Sequence, residues 1–385
     1  MFRLIHRDKK TGARAGRLYT RHGAIDTPAF MPVATKAGVK TLSSEEVLET
    51  KAQAIIANAF LLYLKPGVEA VERAGGLHGF MHWPRVIFTD SGGFQVLRKG
   101  LFQGVSKRGI TFRSPFDESR HLFTPGVCAQ VQARLGSDVA MALDDCPPYG
   151  TGPEAAGKAV ARTAKWAEEF KASGKGELFA IVQGGVYRDL REESARGLVE
   201  IGFDGYGIGG LSIGEPKAVM FRVLEETVPL LPEGKPRYLM GVGSPRELLR
   251  AIALGIDIFD SAFPTRNARH NAAYTWSGRL NLSKGRYSRD QRPIEEGCRC
   301  GACRNYSKAY INHLLKVHEG LGMRLVTIHN LTFFQELMKG AREAILRDGF
   351  REFELAVLEG GHGVEPQDGH PQKEEGGPQG EEPDE

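Results

Sequence analysis

The chain has 385 residues, 41% of them hydrophobic and 25% charged, an ordinary globular composition that supplies a large core. No apolar run approaches the roughly 18 residues that span a bilayer, and Met1–Lys10 lacks the apolar core of a secretory leader, so a soluble cytoplasmic protein is expected. The net charge of +4 conceals two opposed blocks, −7 over residues 360–385 and +8 over residues 265–316, and clustered positive charge is the footprint of a nucleic-acid binder or simply a solvated basic face.

Apolar runs bounded by polar residues or glycine predict eight strands: Ala29–Val33, Ala54–Ala57, Val86–Thr89, Val139–Leu143, Phe179–Val182, Tyr206–Ile208, Tyr238–Met240 and Ile256–Phe259. They are short and continuously apolar, as parallel strands covered on both faces are. Helical patterns lie between them. Ser43–Glu46 and Ser244–Glu247 read as capping boxes, the second with Pro245 at the first helical position. Thr124-Pro125 opens a helix running to Leu135, and Pro153–Phe170 and Tyr187–Val199 are long amphipathic stretches. Eight alternations argue for an α/β fold of the closed (β/α)8 TIM-barrel type, with an open doubly wound sheet as the alternative. The expected organisation is a barrel over residues 1–265, with a hairpin inserted near 95–123 over its mouth. A cysteine-bearing subdomain follows the eighth strand over 266–330, then a final helical part of the barrel over 331–359 with a helix near Leu331–Leu346. Residues 360–385, rich in Gly, Pro, Gln and acid, read as a disordered tail.

A barrel carries its active site at the carboxyl ends of its strands. Here those ends hold Asp90-Ser91-Gly92-Gly93-Phe94, Asp144-Asp145-Cys146, Gln183-Gly184-Gly185, Gly209-Gly210-Leu211, Met240-Gly241 and Phe259-Asp260. Asp90 and Asp260 sit on different strands and are the kind of carboxylate pair that a retaining glycosyl transfer needs. Asp144 and Gln183 suit the hydrogen-bonding edge of a purine, and Phe94 and Met240 suit its faces. Other residues have structural readings. Asp145 reads as a helix N-cap, Asp257 as a carboxylate at a strand start or on the surface, and Cys128 as a small buried hydrophobe.

Cys298, Cys300 and Cys303 form a C-x-C-x2-C cluster, which favours a metal over a disulfide in a cytoplasmic protein. His313, His318 and His329 are all candidates for a fourth ligand, and spacing does not choose among them. Four protein ligands would make a closed, structural zinc site.

From Phe2 to Phe350 these motifs, taken in order and with Pro264-Thr265-Arg266, resemble those of the bacterial tRNA-guanine transglycosylases. The resemblance implies exchange of the wobble guanine of tRNAs with G-U-N anticodons (those for Asp, Asn, His and Tyr) for 7-aminomethyl-7-deazaguanine, or preQ1, in queuosine biosynthesis. It implies Asp260 as the nucleophile at the ribose C1′ and Asp90 as general acid–base. Asp144, Gln183 and the Gly210-Leu211 backbone would hold the base, with Ser91 nearby, Phe94 and Met240 stacking, and Cys146 beside its 7-substituent. Residue 213, a valine in bacterial members and Ile213 here, bounds the same corner. Arg266 and Arg269 would contact the tRNA anticodon loop, and Cys298, Cys300, Cys303 and His329 would hold Zn2+, in a homodimer. Three other readings compete: an archaeal-type enzyme acting on the D-loop, a noncatalytic RNA-binding subunit, and an unrelated barrel hydrolase binding phosphate on Gly207–Leu211. The first lacks its extra C-terminal RNA-binding domain here, the second would have lost Asp90 or Asp260, and the third leaves the basic stretch and the cysteines unexplained.

Overall fold

The computed structural model describes residues 1–92, 102–114 and 116–362. It opens with a three-stranded antiparallel sheet of β1 (Phe2–Arg7), β2 (Arg14–Thr20) and β3 (Gly23–Thr27). β4 (Ala29–Pro32), β5 (Ala54–Asn58) and β6 (Val86–Asp90) begin a parallel sheet. An antiparallel insertion of β7 (Phe102–Ser106), β8 (Gly109–Arg113) and β9 (Arg120–Phe123) follows. The parallel sheet resumes with β10 (Val139–Met141), β11 (Glu177–Val182), β12 (Gly205–Ile208), β13 (Arg237–Leu239) and β14 (Ile258–Ser261). From β5 to β14 each of these parallel strands pairs with the one before it in the sheet. β14 returns to β4 with Phe259 opposite Phe30, and a parallel bridge from Val33 to Ile56 closes the ring between β4 and β5. The closed barrel, not the open sheet, is the fold.

All eight predicted strands are present. The largest displacement is the last, which starts at Ile258 because Ile256 still donates its N–H to Ala251 O in the preceding helical turn. Strand periodicity explains the two cores. Ala29 and Met31, Ala54 and Ile56, Val86 and Phe88, Val139 and Met141, and Phe179 and Ile181 fill the barrel interior. The intervening Phe30, Ile55, Ile87, Ala140 and Ala180 face the surrounding helices. Leu18 and Ile25, from β2 and β3, join the interior cluster, so the N-terminal sheet plugs the barrel floor. The sequence reading missed that sheet because β1 alternates exposed and half-buried residues and contributes little to either core.

Buried charge ties the floor together. Asp257, fully buried rather than on the surface, accepts from Arg14 Nε at 2.9 Å and Nη2 at 2.6 Å and from the Arg237 N–H at 2.7 Å. Asp138, just before β10, accepts from the Ile87 N–H and pairs with His22 at 2.8 Å and His78 at 3.2 Å.

The helix starts follow their caps. Ser43 and Glu46 form the full reciprocal box of Ser44–Glu49, and Thr124 caps Pro125–Leu135. Ser244 accepts from the Glu247 N–H, but the Glu247 carboxylate pairs with Lys217 at 2.5 Å, so only half of that box forms. After β14 come the short helix Phe263–Arg269, the hairpin β15 (Ala272–Thr275) and β16 (Gly278–Asn281), and the helices Gly301–Asn305 and Lys308–Lys316. A 27-residue helix, Gly320–Leu346, then returns to the barrel. It starts eleven residues before the predicted Leu331, so the expected boundary at 330/331 falls inside one continuous helix. The tail from residue 363 onward lies outside the described residues. Among those described, no helix is long and apolar enough to cross a membrane.

Candidate active site

The carboxyl ends of the barrel strands enclose a cavity of about 200 Å³. Asp90, Ser91, Asp144, Cys146, Gln183, Gly210, Leu211, Met240 and Asp260 all line it, although they come from six different strand ends. Phe94 lies outside the described residues. Ile213 and Gly241 line the same cavity, as do Ile56 and Tyr238, which the sequence reading had not singled out.

Asp260 is the third residue of β14, and its Oδ1 accepts from the Tyr238 hydroxyl at 2.6 Å and the Gly241 N–H at 3.0 Å. Burial raises its pKa, and those two hydrogen bonds offset part of the rise. Tyr238 points into the barrel because it stands two residues before Met240 on the same inward face. That periodicity was readable, since Tyr238 opens a predicted strand. Burial, Asp260 and Asp90 hold its phenol well above the usual tyrosine range, so it donates a proton in this contact.

Asp90 ends β6. Gly92 has φ +77°, and a Cβ there would lie 2.3 Å from the Phe60 Cβ, so no larger residue fits beside Asp90. Asp144 is buried and accepts from Gln183 Nε2 at 2.6 Å. Burial pushes its pKa up to about 6, against the lowering effect of Gln183. Its neighbour Asp145 is not a helix N-cap. It pairs with Arg162 at 2.6 Å, while its N–H donates to Thr163, because the following helix starts only at Pro153. Cys146 is a buried thiol that burial, then Asp144, pushes up to about 12, so it is neutral and no nucleophile at physiological pH. Cys128 is fully buried inside its helix, as expected. Glu215 shapes the rim, accepting from the N–H groups of Ser212 and, at 2.9 Å, Ile213.

Arg266 and Arg269 sit on the short helix that leaves β14, next to the cavity in sequence. Arg266 is exposed, and Arg269 is half-buried with Nη1 lacking a partner among the described residues.

The cysteine cluster resolves the choice of histidine. His329 Nδ1 lies 3.7 Å from Cys298 Sγ, 3.8 Å from Cys300 Sγ and 3.3 Å from Cys303 Sγ, and the four ligand atoms all lie within 4.8 Å of one another. A tetrahedral ion with ordinary zinc–sulfur and zinc–nitrogen bonds sets such atoms about 3.6 Å apart. His329 Nε2 lies 2.8 Å from Tyr274 O and donates to it, which leaves Nδ1 as the free lone pair. The residues therefore fit a metal ion. His329 is found because Gly320–Leu346 carries it back across the cluster.

A parallel α/β barrel with a carboxylate-lined cavity at its strand ends and a Cys3His metal-binding cluster defines the class of protein. The family model described as queuine tRNA-ribosyltransferase matches residues 8–360. The chain is 52% identical over 355 residues to a queuine tRNA-ribosyltransferase of Pelotomaculum thermopropionicum, covering 91% of this chain and 96% of that protein. It is 51% identical to that of Desulforudis audaxviator, covering 93% and 97%, and 49% identical to that of Listeria monocytogenes serotype 4a, covering 93% and 96%. The chain belongs to the queuine tRNA-ribosyltransferase family of tRNA-guanine transglycosylases, and it is an enzyme of that family.

Proposed function

We propose that this enzyme exchanges the wobble guanine of tRNAs with G-U-N anticodons for 7-aminomethyl-7-deazaguanine, acting by double displacement in the cytoplasm. The observation that carries the proposal is Asp260. Among the described residues both of its hydrogen bonds fall on Oδ1, which leaves Oδ2 as the oxygen to react inside the cavity. In the first displacement Asp260 Oδ2 forms a bond to the ribose C1′ as the C1′–N9 bond breaks. Asp90 gives its proton to the departing guanine. In the second, Asp90 takes a proton from the incoming base, whose nitrogen displaces Asp260 from C1′. Two inversions retain configuration.

Asp144 as a carboxylate accepts N–H donors of the base, and Gln183 and the Gly210-Leu211 backbone complete its edge. Met240 offers a thioether to its face, with Phe94 assigned to the other. Ser91 supports Asp144. Cys146 and Ile213 bound the corner for the 7-substituent, where their bulk admits an aminomethyl group and excludes the larger cyclopentenediol of queuine. The target nucleotide leaves its stack to enter, at a cost of a few kcal/mol. Arg266 and Arg269 meet the splayed anticodon loop, where single-stranded RNA is ordinarily read. Zinc on Cys298, Cys300, Cys303 and His329 is structural, since four protein ligands leave no open position. The exposed, stacked Tyr306 and Tyr310, with ring centroids 5.3 Å apart, supply apolar surface suited to a homodimer contact.

The test is the covalent intermediate. Wild-type protein mixed with substrate tRNA should give an RNA-shifted band on a denaturing gel, and Asp260→Ala should give neither band nor exchange. A band that survives in Asp260→Ala would place the nucleophile elsewhere, most directly at Asp90.

A further inference from the structure

Arg191 lies on the helix Arg188–Ile201 yet is only 1% exposed. Its Nε donates to Gly185 O at 2.9 Å, and its Nη1 donates to Val182 O at 2.9 Å and Gly209 O at 2.8 Å. One guanidinium thus ties the loop after β11 to the loop after β12. These are the loops that carry Gln183 and Gly209-Gly210-Leu211 into the cavity. The same helix face holds Gln183 again, through the Gln183 N–H to Ser194 Oγ at 3.0 Å.

The fit around the guanidinium is tight on the cavity side. A Cβ on Gly210, whose φ is +68°, would lie 2.7 Å from Gln183 Oε1 and 3.4 Å from Arg191 Nη2. A Cβ on Gly209 would lie 2.6 Å from Gln183 Nε2. The Gln183 amide and the Arg191 fork therefore bear on the same glycine pair from two sides. Nη2 and Gln183 Oε1 are buried without partners among the described residues. Burial lowers the Arg191 pKa to about 10, so it remains charged at neutral pH. Among the described residues no carboxylate is in ion-pair contact with it, so its buried charge is met by backbone carbonyls alone. What only a planar fork can do here is fix the spacing and rotation of two backbone loops through three carbonyls at once.

We infer that Arg191 is a positioning residue for base recognition, which sets the Gln183 edge and the Gly210-Leu211 backbone at the separation that a flat heterocycle needs. It acts through those groups rather than by touching the base. The inference rests on the base-exchange function proposed above.

The test is calorimetric binding of guanine, and separately of substrate tRNA, to zinc-loaded full-length protein carrying Arg191→Met or Arg191→Lys. Arg191→Met should weaken guanine binding about tenfold, or ~1.4 kcal/mol, and leave tRNA binding within about twofold. Arg191→Lys should fall between, because one ammonium cannot reach all three carbonyls in a single plane. If Arg191→Met does not fold, Arg191→Lys decides. Wild-type guanine affinity in Arg191→Lys, or an equal loss of guanine and tRNA binding, overturns the inference and leaves Arg191 a purely structural residue. Wild-type protein that fails to bind guanine at all removes the functional reading itself, a result distinct from either.

Discussion

Asp144 illustrates how a base pocket is built against the stability of the fold. Its carboxyl is buried and holds its proton up to about pH 6, with burial as the main cause and Gln183 partly opposing it. A carboxyl whose pKa rises on folding makes the native state bind more protons than the unfolded chain between the two values, so stability falls as pH rises through that window. Asp144→Asn should therefore stabilise the free protein at pH 8 by up to about 3 kcal/mol, and the gain should vanish below about pH 4. In the proposed function the same group, ionised, accepts the N–H donors of the base. Guanine affinity of the wild type should accordingly weaken as pH falls below about 6, and Asp144→Asn should bind guanine poorly at every pH. Thermal melts and titrations across pH 4–8 check both halves. A variant that loses stability at pH 8, or that binds guanine as wild type does, contradicts the assignment.

Among the elements, the helix Gly320–Leu346 joins the metal cluster to the barrel. It presents His329 to the three cysteines, and the adjacent Asn330 accepts from the Tyr274 N–H at 2.9 Å while donating to Pro264 O and Ala272 O. Farther along, Gln335 donates to Phe30 O on β4. Cys303→Ser should lose the metal and with it the seating of this helix on both bodies. Metal analysis and a melting curve should show loss of the bound metal and a destabilisation of several kcal/mol, since binding free energy at a structural metal site is folding free energy. A stable, metal-free variant with wild-type exchange would remove the structural role. The cluster was legible as a metal site from the cysteine spacing, and the histidine only through the family resemblance, because it comes from a helix whose start had no capping signal. Glu319, the N-cap residue, makes no side-chain cap bond. Arg191 escaped notice for a related reason, since a lone arginine in an amphipathic helix normally points to solvent and only tertiary packing turned it inward. Glu215 likewise declares itself only through the loop it folds.

At the scale of the whole molecule, the barrel was legible because parallel strands buried on both faces read as short apolar runs, and the capping and proline signals between them read as helices. The N-terminal sheet was not, because its residues divide between solvent and the barrel floor. Charge is arranged on the same scale. The +8 of residues 265–316 begins just after β14 and already counts Asp290, which pairs with Arg292 and Lys308. The −7 of the tail lies wholly beyond the family match, which ends at residue 360. Deleting residues 363–385 should leave guanine exchange and its tRNA dependence unchanged in steady-state kinetics. A severalfold tightening of tRNA binding at low salt that disappears at high salt would show instead that the tail competes for the basic face.

The most direct test of the central claim is incorporation of labelled guanine into unmodified tRNA with a G-U-N anticodon, compared with the same tRNA carrying another base at the wobble position. The account predicts incorporation by the first and none by the second, with the label at that position. Labelling of both tRNAs, labelling in the D-loop, or no labelling by folded, zinc-loaded protein would contradict it.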